Sequence, residues 1–65
     1  MKKIEAEMLA KRVGMTKILG TLRGCVIGYV PGFRGVSICN AQRGVVASGF
    51  YNFAMATKYI NGQLN

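Results

Sequence analysis

Apolar residues recur at steps of three and four near both ends of this chain and run almost without a break between them. Over residues 2–13, Ile4, Met8 and Leu9 form one stripe, and Glu7 stands four residues before Lys11. The acids precede the bases, the order a helix dipole prefers, and Gly14 supplies a residue suited to a left-handed C-terminal cap. This pattern predicts an amphipathic helix of about three turns. From 40 to 61, Ala41, Val45, Gly49, Phe53, Ala56 and Ile60 repeat at the same steps. With Asn40 as N-cap and Asn61-Gly62 as the stop, a second helix is expected there.

Residues 16–39 fit two pictures. As a helix, 16–30 is apolar around most of its circumference, and Gly20, Gly24 and Gly28 fall on one narrow face where another helix can approach backbone to backbone. Gly44, Ser48, Asn52 and Ala56, with Gly49 beside them, would offer a matching small-residue face on the second helix. As strands, 16–22, 25–30 and 35–39 form a meander with turns at Arg23-Gly24 and Pro31-Gly32-Phe33. The intrinsic preferences of Val26, Ile27, Tyr29, Val30, Val36 and Ile38 favour this second picture. Each exposed helical glycine would also cost about 1 kcal/mol relative to alanine, so the helical picture needs close packing. The repeated spacing points to a mainly α fold: the N-terminal helix followed by a close-packed helical hairpin around Pro31-Gly32. The alternative is α+β, with a helix, a short β-meander over 16–39 and a C-terminal helix. Pro31-Gly32 is a turn in both.

Sixty-five residues allow one domain, 1–65, and so short a chain has little core to stabilise it. With 51% hydrophobic and 17% charged residues, an oligomer, a protein partner or a lipid surface is expected to cover the apolar excess. The uncharged run 44–57 is shorter than the roughly 20 residues of a spanning helix, and suits a buried, interfacial or shallow hairpin segment instead. Lys2 and Lys3 resemble the start of a signal peptide, but Glu5, Glu7, Lys11 and Arg12 interrupt its apolar region.

The formal net charge is +7, and both acids, Glu5 and Glu7, precede Lys11, Arg12, Lys17, Arg23, Arg34, Arg43 and Lys58. Such a surface favours anionic partners, although the charge would also serve solubility alone. Lys11, Arg12, Lys17, Arg23, Arg34 and Arg43 are the candidate anion-binding residues. A helix-turn-helix over residues 9–24 is disfavoured, because Gly20 falls where that motif needs a buried aliphatic residue.

Cys25 and Cys39 lie equally far on either side of Gly32, so a hairpin would bring them together. Oxidised, they would close a loop worth about 3 kcal/mol; reduced, they would be buried thiols. The chain has no histidine and no second cysteine pair, so a four-ligand zinc site is not expected. It also lacks aspartate and any base beside either cysteine, so no enzymatic chemistry and no cofactor are expected. Three functions fit these residues, the first favoured and the other two as its alternatives. The first is association with an anionic membrane, with self-assembly through glycine faces and a Pro31, Gly32, Phe33, Arg34 tip. The second is a small subunit or inhibitor anchored by Phe33, Phe50, Tyr51 and Phe53. The third is a basic α+β module holding nucleic acid, with Tyr29, Phe33 and Tyr51 available to stack on bases.

Overall fold

A computed structural model describes residues 2–63. The chain runs α1 (Lys3–Val13), β1 (Lys17–Leu22), β2 (Cys25–Tyr29), β3 (Val36–Asn40), β4 (Gly44–Phe50) and α2 (Phe53–Gln63). The strands form one antiparallel sheet in sequence order, β1-β2-β3-β4. A helix covers each face. Ala6, Leu9 and Ala10 of α1 pack on Val26, Val30 and Cys39, while Ala56 and Ile60 of α2 pack on Ile27, Val36 and Ile38. The fold is therefore α+β, and the helical hairpin expected around Pro31-Gly32 is not formed.

The inner strands explain why no helix forms over 16–39. Val26 and Ile27 are consecutive and both fully buried, as is the run Val36 to Cys39. Adjacent side chains of a strand point to opposite faces. Such runs are therefore stable as strands only when both faces of the sheet are covered, and this cover also removes the alternation that marks a half-wet strand. Val26 pairs with Cys39 on the α1 face, and Ile27 with Ile38 on the α2 face.

The turns follow local chemistry. Arg23 and Gly24 both have positive φ, 50° and 78°, the geometry of a two-residue hairpin matched to strand twist. At Pro31-Gly32, the Phe33 N–H donates to the Val30 carbonyl at 3.1 Å and Gly32 takes φ 90°, a type II turn. The glycines expected to form helix faces are thus dispersed. Gly20 and Gly28 lie inside strands, Gly24 in a turn, and Gly44 and Gly49 in β4. Two of them do permit close approach. A Cβ on Gly20 would come within 2.7 Å of the Phe53 ring, so this position seats the first side chain of α2 on the sheet. A Cβ on Gly28 would strike the Lys17 carbonyl oxygen and lie 2.5 Å from Met15 Sδ.

The helix expected over 40–61 is replaced by β4 and the shorter α2. The Asn40 side chain does accept an N–H three residues on, from Arg43 at 2.7 Å, but Gly44 then takes φ 75° and the chain enters a strand. Asn52 supplies the actual cap, its Oδ1 accepting the Met55 N–H at 2.9 Å. Asn61-Gly62 does not stop α2, which continues to Gln63. The N-terminal helix keeps its expected place and its Gly14 cap. Gly14 N–H donates to Lys11 O at 3.2 Å and Met15 N–H to Ala10 O at 2.8 Å, a Schellman closure. Its buried stripe differs from the expected one. Ala6, Leu9 and Ala10 face the sheet, whereas Ile4 and Met8 are exposed.

Two substitutions test this packing by urea denaturation. Gly28→Ala is expected to cost about 2–3 kcal/mol, because backbone must move to admit the methyl; an unchanged midpoint would refute the close approach of β1 and β2 at Gly28. Ser37 is fully buried and its Oγ has no hydrogen-bond partner. Ser37→Ala should therefore raise stability by about 1 kcal/mol, and a loss would mean that the hydroxyl is satisfied in solution.

Candidate functional site

In a meander of antiparallel strands, successive turns alternate between the two ends of the sheet. The 30–35 loop, the start of β1 and the end of β4 share one end, and the turns at 23–24 and 41–43 share the other. The basic residues divide between them.

At the first end, Lys17 pairs with Tyr29 across β1 and β2. Phe33 and Arg34 sit in the 30–35 loop, which is fastened to β4 by the Gly49 N–H donating to the Arg34 carbonyl at 2.9 Å. Tyr51 follows Phe50, whose partner across the sheet is Val36. Tyr29, Phe33 and Tyr51 are 39%, 47% and 80% exposed. Three aromatic rings are thus left exposed at one end of so small a sheet, a larger apolar exposure than scattered single residues present. Asn52 opens α2 directly after Tyr51, so the positive end of that helix dipole lies at the same end. From β1 to β4 the sheet is about 14 Å wide, three strand spacings.

At the second end, arginines fasten the turns. Arg12 Nη2 donates to the Ala41 carbonyl at 2.7 Å, and Arg23 Nε donates to Asn61 Oδ1 at 3.2 Å, tying the β1–β2 turn to α2. Arg43 lies in the 41–43 turn, and Lys11 precedes Arg12 in the last turn of α1. Both acids lie on α1, and among the described residues no lysine or arginine is ion-paired with a carboxylate, the expected Glu7–Lys11 pair included. The six candidate cations therefore do not form one site. Lys17 and Arg34 lie at the end of the sheet that carries Tyr29, Phe33 and Tyr51, and Lys11, Arg12, Arg23 and Arg43 belong to the arginine end and α1.

Cys25 and Cys39 are both free. The sheet pairs Cys25 with Asn40 and Cys39 with Val26, one step away from facing each other. One step inverts the face: Cys25 packs under α2 and Cys39 under α1. Burial pushes both thiols above their ordinary range, and the charge of Cys25 raises Cys39 further. Among the described residues no group of three or more metal-ligating side chains comes together. Comparison with protein-family models, curated proteins and solved structures finds no match to this chain.

Tyr29 and Tyr51 are distant in sequence, and only the strand order brings them to the same end of the sheet. The signal that was available is the Phe50-Tyr51-Asn52 sequence, in which a capping residue directly follows two aromatics and marks a helix start at 52 rather than 40.

Thiol titration checks the cysteine placement. Without reductant, the unfolded chain should show two reactive thiols. The folded chain should show slow modification of half-buried Cys25 alone, with a pH midpoint above that of an ordinary thiol. A disulfide-linked product, or equal reactivity of Cys39, would contradict the register.

Proposed function

We propose that this chain is a non-enzymatic module that holds single-stranded nucleic acid at the end of the sheet bearing Tyr29, Phe33 and Tyr51. The observation that carries the proposal is that three exposed rings, Lys17 and Arg34 all fall at one end of the sheet, with Lys17 paired across the strands to Tyr29. Rings in water stack on bases of any identity, at about 1–3 kcal/mol per base, while lysine and arginine neutralise the phosphates between them. The width of about 14 Å accommodates a few nucleotides laid across the strand ends. A duplex keeps its bases stacked inside and offers the rings nothing to stack on, so single strands are the expected ligand. The arginine end supplies long-range attraction, since no carboxylate on the sheet or α2 opposes it.

Membrane association, the function favoured from the sequence, relied on the helical hairpin. The helical hairpin is absent, and among the described residues no helix is long and apolar enough to cross a membrane.

Fluorescence anisotropy with labelled oligothymidylate and a duplex of equal length tests the proposal. The single strand should bind more tightly, with affinity falling as salt rises. Lys17→Gln and Arg34→Gln should each lower the magnitude of the log–log salt slope by about 0.7. Tyr51→Ala should cost about 1–3 kcal/mol of affinity without changing the melting temperature, because its ring is exposed. Equal binding of duplex, or affinity indifferent to Tyr51 and Phe33, would overturn it.

A further inference from the structure

A second feature lies at the arginine end and takes no part in the stacking surface. Between α2 and the sheet is a cavity of about 310 Å³, lined by Cys25, Ile38, Asn40, Arg43, Val46, Tyr59 and Ile60. Its floor is apolar, with Ile38 and Ile60 buried; Cys25 and Asn40 form its half-buried walls; and Arg43, Val46 and Tyr59 stand exposed at its mouth. Its size is at the lower limit for small-molecule sites.

Two details give this cavity a chemical polarity. Asn40 Oδ1 accepts the Arg43 N–H, which fixes the side chain, while the amide NH2 keeps both of its donors for a ligand. Arg43 contributes only donors, the Cys25 thiol, its pKa raised by burial, donates to the Arg23 carbonyl at 3.9 Å, and among the described residues no carboxylate lines the space. The apolar side is built by a bulge. Ile38 pairs with Ala47 and Cys39 with Val45, which leaves Val46 as the extra residue. That irregularity turns Val46 onto the α2 face, opposite the Tyr59 ring. Tyr59 is in turn set by Phe50, with ring centroids 5.1 Å apart.

We propose that this cavity binds a small organic anion, its charged head on Arg43 and Asn40 and its apolar or aromatic body between Val46, Tyr59 and Ile60. The head is a carboxylate or a phosphate, since either accepts from a guanidinium and an amide. The site is independent of the stacking surface and lies at the other end of the sheet.

Cys25 provides the readout, because it lines the cavity while Cys39 is fully buried on the other face. Alkylation of Cys25 by the neutral reagent iodoacetamide, followed by mass spectrometry of the full chain, is measured with benzoate, phenyl phosphate or uncharged benzyl alcohol present. Benzoate or phenyl phosphate should slow alkylation in a saturable manner, by about tenfold at ten times the dissociation constant. Whichever of the two protects identifies the head group. Benzyl alcohol should not protect. Arg43→Gln, a change at an exposed turn residue, should abolish protection without altering the melting temperature. Backbone amide NMR shifts with the protecting anion should centre on residues 25, 40, 43, 46 and 59 and leave 29, 33 and 51 unmoved. Absence of protection by either anion, equal protection by benzyl alcohol, protection retained in Arg43→Gln, or shifts centred on 29, 33 and 51 would each overturn the proposal. Because Tyr51→Ala leaves this cavity intact, failure of oligothymidylate binding and failure of anion binding are separately visible.

Discussion

The structure depends on burying both faces of two short strands. β2 and β3 have almost no polar side, so the sheet needs one helix on each face, and the chain supplies them from its two termini. This solves the composition problem of a small greasy chain. A single helix on one face would leave either Val26 and Cys39 or Ile27 and Ile38 in water, each side chain a loss of about 1.5–3 kcal/mol for the larger aliphatics. Close layers require small residues at the contacts, which is why α1 meets the sheet through Ala6 and Ala10 and why Gly20 lies beneath Phe53.

Two-sided cover also limits what the sequence reveals. The N-terminal helix is legible because its cap and dipole order are local, and Pro31-Gly32 is legible because turn chemistry is local. The inner strands are not, since consecutive buried residues carry neither the helical period nor the alternation of a half-wet strand. The strand preferences of Val26, Ile27 and Val36 agree with the structure, whereas the four-residue glycine spacing reflects turns and close contacts rather than a helix face. Residues 44–50 misled through their apolar steps of three and four, although Gly44 and Gly49 both adopt left-handed backbone that no helix interior accepts.

The candidate site was legible in kind and not in place. Aromatic and basic residues were recognisable as such, yet their division into two ends follows from strand order alone. The cysteines show how fine the dependence is. Symmetry about Gly32 brought them to within one register step of each other, and that step sends the thiols into different layers.

The strand order has a further consequence, for the way the chain folds. Every sheet pairing joins neighbours in sequence, so each hairpin closes a short loop and little entropy is lost before contacts form. The docking of α2 on β1 is different, because Phe53 over Gly20 and Asn61 on Arg23 join residues far apart in the chain. At about 0.6 kcal/mol for each doubling of loop length, that contact is the most expensive to close by itself. Once the meander has formed, its strands hold the two ends of that loop together and the cost has largely been met. The last helix therefore lands on a surface that the rest of the chain has already brought within reach.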